Sequence, residues 1–294
     1  AAVSFYYSRR NEIDKSNQIL TPLIESHSED LPVSLKGDLH YARGFNYFLA
    51  NEYALAMADY DLALRLYEST NDVAGQALTH CRIAAIFSSE QQMDQCVQSI
   101  HRALRLAPAI EDSFKLTSVW STASGQFVQI ATTNLGYADS SIYYGQKALL
   151  LAIRDEYFTK GSQLCNSISA AYNLKGDHNQ ALVYLQTATR FAPYLYPSEG
   201  IITYFNLCDS YFNLGNYAMA LAYLDSIDLV LTHFEDPYYT MIAAERVYAY
   251  NKEAGNLNEA LVGLERLKML EDSLFTLDKN RNINEIHARY QTEL

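Results

Sequence analysis

Residues 44–64, GFNYFLANEYALAMADYDLAL, set small side chains at fixed offsets among aromatic ones: Gly44, Ala56 and Ala63 against Tyr47, Tyr53 and Tyr60. The pattern returns. Ala84, Phe87, Met93, Cys96, Ile100 and Ala103 keep the same offsets, followed by Pro108. Ser169, Tyr172, Gly176, Ala181, Leu185, Ala188 and Pro193 form another unit, and Cys208, Tyr211, Gly215, Tyr217, Ala220, Leu224 and Ile227 a further one. A looser unit reads Gly255, Leu257, Ala260, Leu264 and Leu267. The unit around Gly136, Ser141 and Ala148 departs most, with Gln129 and Thr132 where a small residue and an aromatic are expected. Equivalent positions recur at steps of 40, 45, 40, 39 and 40 residues.

Each unit predicts two antiparallel helices. Gly136, Gly176, Gly215 and Gly255 fall at the turn between them, where a left-handed backbone angle is cheap for glycine. Asp177, Asn216 and Asn256 follow three of these glycines and suit the entry to the second helix. The alanines mark the closest approach of the two helices, and a larger side chain there overpacks the contact by about 1–3 kcal/mol. Aromatics fill the space beside the small residues and reach the next unit.

The ends differ. Ile13, Leu20 and Ile24 share one helical face, so residues 1–33 read as an N-terminal cap, with Pro22 predicting a break or a new helix start. Residues 277–294 carry a thin apolar stripe (Leu277, Ile283, Ile286, Tyr290, Leu294) and read as an exit helix. The step of 45 residues, with the single Trp120, predicts a longer helix or loop and a bend.

The order small, aromatic, Gly, aromatic, Ala, bulky, Ala, Pro resembles the tetratricopeptide repeat (TPR), most closely in GNYAMALAYL (215–224) and KGDHNQALVYL (175–185). The likeness runs over residues 34–276, and its tandem recurrence makes it specific. It implies an all-α fold: a right-handed α-α superhelical solenoid of about six hairpins, forming one domain over residues 1–294. The usual TPR period is about 34 residues, so the surplus here implies longer helices and links. A solenoid offers a long concave wall, made chiefly by the first helix of each unit, that suits an extended peptide or a partner helix.

Composition narrows the function. With 22 Lys and Arg against 34 Asp and Glu, the net charge is −12, and no basic run exceeds Arg9-Arg10. Nucleic-acid binding by this region has little electrostatic support. No apolar run reaches the roughly 18 residues of a membrane span. The chain starts Ala1-Ala2 without Met or a signal-peptide pattern, so preceding residues are expected. Cys81, Cys96, Cys165 and Cys208 lie apart in apolar helical settings and read as buried free thiols.

No catalytic, nucleotide-binding or metal-binding motif stands in the sequence, and the chain reads as a non-enzyme with no cofactor. His40 and His80 hold equivalent places in successive units, but neither has a further ligand at metal spacing, and core histidines are the commoner reading. The inner faces of the first helices carry Asp38, Tyr41, Phe45 and Phe48; Leu78, Cys81 and Ala85; Gln126 and Ile130; Gln163, Asn166, Ala170 and Asn173; and Ile202, Phe205, Asp209 and Phe212. Of these, with Arg82 as the one candidate cation, the partner-binding residues expected are Tyr41, Phe45, Arg82, Gln126, Asn166, Asn173, Phe205 and Asp209. Asn amides at such places can bond a peptide backbone without reading its sequence. Chaperone-tail clamps of the TPR family want Lys and Asn where this chain has Tyr41 and Phe45, which disfavours that ligand.

The segment LEDSLFTLDKNRNINEIHARYQTEL (270–294) resembles the end of the TPR ectodomain in membrane-anchored bacterial TPR transcriptional regulators and sensor kinases, through Asp272, Ser273, Leu274, Asn284, Ile286, Tyr290, Thr292 and Glu293. That resemblance implies a periplasmic sensing half that binds a peptide or protein and meets the membrane only through a segment outside this chain. A soluble cytoplasmic scaffold or adaptor is the alternative. Peptide-gated regulators of the quorum-sensing type also use repeats of this length, but need an N-terminal effector bundle, for which residues 1–33 are too short.

Overall fold

A computed structural model describes residues 13–26, 31–195, 197–233 and 236–273, and these are helical with no strand. They fall into two compact units, Ala1–Lys175 and Gly176–Leu294. The predicted exit helix over residues 277–294 lies outside the described residues.

In the first unit the helices are α1 (Ile13–Ser26), α2 (Val33–Leu49), α3 (Tyr53–Ser69), α4 (Val73–Ser89), α5 (Met93–Leu106), α6 (Ser113–Ala131), α7 (Tyr137–Arg154) and α8 (Phe158–Leu174). They pair as hairpins α2–α3, α4–α5 and α6–α7, and the first helices α2, α4, α6 and α8 also touch in sequence. In the second unit α9 (His178–Thr189) packs on α10 (Pro197–Asn213), α10 on α11 (Tyr217–Leu231), and α11 on α12 (Pro237–Ala254); α13 covers 257–273.

The small-residue positions lie where the sequence places them. Ala56, Tyr60 and Ala63 are fully buried. A Cβ built on Gly44 would come within 2.8 Å of the Tyr60 ring, so the glycine is a notch cut for that ring. In the second unit Cys208, Ala220, Leu224 and Ile227 form the corresponding buried set, packed with Ile201 and Phe205. Hairpin α6–α7, the unit that departs from the pattern, closes differently. The Ser124 hydroxyl donates to the Ser141 carbonyl and the Ser141 hydroxyl to the Ser124 carbonyl, both at 2.9 Å. Gly145 lets Ser124 and the Ile168 side chain approach. Here a reciprocal polar clasp replaces the aromatic wedge, and both hydroxyls are satisfied in the dry interior.

Gly176, Gly215 and Gly255 adopt φ of 78°, 75° and 84°, as the turn requires. Gly136 does not: its φ is −57°, and its N–H is held by the Asn134 side chain at 3.2 Å. The α6–α7 turn runs over residues 132–136 and is longer than the α4–α5 turn at 90–92, so no single residue has to reverse the chain. This turn and α6, which at 19 residues exceeds the 17 of α4, absorb the long step in the repeat. In the earlier turns the left-handed residue is not glycine but Asn51, Asn71 or Gln91, and Glu156 plays that part after α7. Asp177 and Asn216 cap α9 and α11 by accepting from the Gln180 and Met219 N–H groups, while Asp72, Asp112 and Asp236 cap α4, α6 and α12 in the same way.

Pro22 does not break α1; the helix runs through it. The bond lost at proline belongs to the Gln18 carbonyl, and both residues are exposed, so solvent can take its place. On the other side of α1, Leu20 is fully buried with Leu39 and Ala42. All four cysteines are free and buried.

Candidate functional site

The first helices carry the expected site residues, and in each compact unit some of them are gathered around one arginine. In the first unit Arg82 of α4 reaches back to α2. Its Nε donates to the Tyr41 hydroxyl at 3.1 Å, and its guanidinium lies 4.3 Å from the centroid of the Phe45 ring. A guanidinium on an aromatic face is held by the ring's quadrupole and gives up little hydration on approach. Tyr41 also packs on Tyr60, 5.9 Å between centroids, which ties this bracket to the hairpin interior.

In the second unit Arg246 of α12 does the same with α10. It lies 5.0 Å from the Phe205 ring centroid and forms a two-pronged ion pair with Asp209, both contacts 2.8 Å. The Tyr250 hydroxyl donates to the same carboxylate. Burial and Asp209 act on Tyr250 together, raising its pKa above the ordinary tyrosine value. The registers agree: Arg82 and Tyr41 are 41 residues apart and Arg246 and Asp209 are 37 apart, and Phe205 and Phe45 complete the two sets at the same separations. The repeat thus places an arginine over one aromatic ring of the preceding first helix, with the neighbouring position filled by Phe45 in one case and by Asp209 in the other.

Gln126 is turned toward the second helix of the preceding hairpin, where its carbonyl accepts from the Cys96 thiol at 3.5 Å. Asn166 is 9% exposed and Asn173 half-buried, and both make interactions within the fold. The expected residues are therefore not one cluster. Tyr41, Phe45 and Arg82 come together; Phe205 and Asp209 come together; Gln126, Asn166 and Asn173 stand separately along α6 and α8. The fully open positions of the inner-face pattern are Asp38, Gln163 and Ile202.

Arg246 and Tyr250 were not among the expected residues. The signal was present: Arg246 stands at the same offset before the left-handed Gly255 as Arg82 does before the left-handed Gln91. No group of three or more His, Cys, Asp or Glu side chains is placed to hold a metal among the described residues. His40 instead bonds Asp59 through Nδ1 at 2.7 Å, and Arg43 grips the same carboxylate from a second side. No helix of the described residues is long and apolar enough to cross a membrane.

No protein-family model matches the sequence, and no curated protein matches it. Solved structures do. BtubC (BKLC) from P. vanneervenii superimposes with a TM-score of 0.62 at 17% identity, over 73% of this chain and 87% of that one. A Rap protein complexed with Competence and Sporulation Factor gives 0.58 at 15% identity, over 87% and 80%. A Podosopora anserina kinesin light chain protein of nearly identical TPR-like repeats gives 0.55 at 11% identity, over 67% and 95%. At these identities the likeness shows the fold alone: this chain has a TPR-like helical-repeat fold.

Proposed function

We propose that this chain is a non-enzymatic binding domain that takes a peptide or protein segment along the first helices of its hairpins. The observation that carries the reading is the recurrence of the arginine bracket at one register. Arg246, over an aromatic ring, is still partly open (24% side-chain exposure) beside a carboxylate that is 33% exposed, so a ligand group can reach this bracket from solvent. The Rap neighbour, crystallised with Competence and Sporulation Factor, is an example of a similar fold in complex with a named partner. Asp38 and Gln163 are exposed on the first helices of the first unit, and Ile202 on a first helix of the second.

The finer reading is that the domain is the sensory half of a bacterial signalling protein, held outside the cytoplasm. Its support is the resemblance of residues 270–294 to the end of such ectodomains. An apolar run of about 20 residues soon after Leu294 in the gene would agree with it; a gene that ends without one favours the scaffold alternative.

The binding reading is tested by capture from a peptide library followed by variants. Phe45→Ala and Asn173→Ala should each weaken a captured peptide about tenfold. Leu150→Asp, on the second helix α7 at a position 72% exposed, should leave it unchanged. Loss of binding in Leu150→Asp alone would place the site on the second helices and sink the proposal.

A further inference from the structure

Between α1, the first turns of α2, and α3 lies a cavity of about 350 Å3. Its lining divides by chemistry. Leu23 of α1, Leu39 of α2 and Leu66 of α3 belong to an aliphatic wall, whereas Lys36, His40 and Arg65 are the polar side chains on it among the described residues. Among the described residues no carboxylate lines it, in a chain whose acidic residues outnumber the basic ones 34 to 22.

The three basic residues come from two helices. Lys36 and His40 lie one turn apart on α2 and so share a face, and Arg65 comes from α3. Neither Lys36 nor Arg65 has an ion-pair partner among the described residues. Elsewhere in the same hairpin the charges are compensated: Arg43 and His40 Nδ1 both bond Asp59, a buried carboxylate. That bond orients the His40 imidazole. An anion that brings a hydrocarbon body with it would pair these cations and cover the aliphatic wall in one step. A flat carboxylate also matches the fork of a guanidinium. At this volume the cavity sits near the low end of ligand pockets, roughly 300–1,000 Å3, which fits one short chain.

We infer that this cavity binds a free aliphatic monocarboxylate, its head between Lys36, His40 and Arg65 and its chain against Leu23, Leu39 and Leu66. The site lies apart from the arginine brackets, so it stands or falls independently of the binding function proposed above.

Calorimetric titration of the whole chain with sodium octanoate tests this. Octanoate should bind one per chain, while octylamine and inorganic phosphate should not. Lys36→Ala and Arg65→Ala should each weaken octanoate about tenfold or more. Leu66→Trp, which fills the aliphatic side, should abolish binding with both cations in place. Arg65 is exposed and Lys36 half-buried, so unchanged helical circular dichroism is expected for both alanine variants. Failure of octanoate to bind the parent chain overturns the inference, as does binding that both alanine variants leave untouched. A leucine-ended peptide that binds where octanoate does not also overturns it, assigning the cavity to a chain terminus instead.

Discussion

The ring of Tyr67 presses on the backbone of Gly75. A Cβ added to Gly75 would meet three ring carbons between 2.6 and 2.8 Å, and one on Gly37 would meet the opposite helix's view of the same ring at 2.9 Å. Tyr67, on α3, is thus wedged between the first helices of two successive hairpins, and its hydroxyl donates to Asp38 at 2.8 Å. The repeat is locked here by a single ring between two glycines.

Gly75→Ala should destabilise the fold by about 1–3 kcal/mol, because the wedged ring cannot retreat. Gly125, in α6, has nothing within 4 Å of its added Cβ. Gly125→Ala should therefore stabilise by about 0.5–1 kcal/mol through helix propensity and a less flexible unfolded chain. Urea midpoints moving in opposite directions would bear out the contrast; a Gly75→Ala midpoint equal to or above the parent's would contradict the wedge.

Two buried tyrosines should respond oppositely to loss of their hydroxyls. Tyr60 is fully buried and its hydroxyl has no hydrogen-bond partner. Tyr60→Phe removes an unsatisfied polar atom and should be neutral or stabilising by about 1 kcal/mol. Tyr67→Phe strips a bond to Asp38 and should cost about 1 kcal/mol. Thermal unfolding of the two variants side by side checks this.

Of the pattern itself, the part carried by residue size was legible in the sequence. Gly44 against Tyr60, the alanines at 56, 63, 181 and 188, and the left-handed Gly176, Gly215 and Gly255 all follow from spacing, because volume and backbone freedom are properties of the residue itself. What escaped depends on two residues at once. Gly37 and Gly75 sit off the repeat register, so nothing marked them as the two sides of one slot. Gly136 looked like its counterparts, but the longer turn around it removed the need for a left-handed angle. The expected binding residues lie on first helices, yet Gln126 turns toward Cys96 and Asp209 is claimed by Arg246, since the partner of a polar side chain depends on what the next hairpin presents.

His80 gives the fold an acid-sensitive point. Burial, and then the nearby Arg102 and Arg105, push its pKa down from 6.5 to about 4, and its Nδ1 has no hydrogen-bond partner. Above pH 6.5 the imidazole is neutral in both folded and unfolded chains and costs nothing. As the pH falls from 6.5 to about 4 the unfolded chain takes the proton first, so stability drops across that window. A His80→Leu variant should flatten this part of the stability curve measured by urea unfolding. An unchanged slope would mean that His80 is accessible to protons in the folded state.

The left-handed turns offer a further comparison. Gln91 holds φ of 61° without being glycine, so Gln91→Gly should raise stability by up to about 1 kcal/mol. Gly215→Ala should lower it by about 1 kcal/mol, although its added Cβ would meet no atom within 4 Å. Equal and opposite shifts in melting temperature would locate the effect in the backbone alone.

The thiols should be silent in the folded chain. Burial raises Cys81, Cys165 and Cys208 to about 12 and Cys96 to about 11, so almost no thiolate exists at neutral pH. Ellman's reagent should label none of the four in buffer and all four in denaturant. Prompt labelling of one in buffer would mark a hairpin that opens locally.

The shared register of Arg82 and Arg246 limits how this chain can change length. One residue inserted within α4 ahead of Arg82 would swing the guanidinium by about 100° around that helix and off its ring. A helix that carries a bracket residue is a poor place for an insertion, whereas the five-residue turn after α6 has already absorbed an irregular step without disturbing either bracket. Loops grafted for display or labelling belong at that turn.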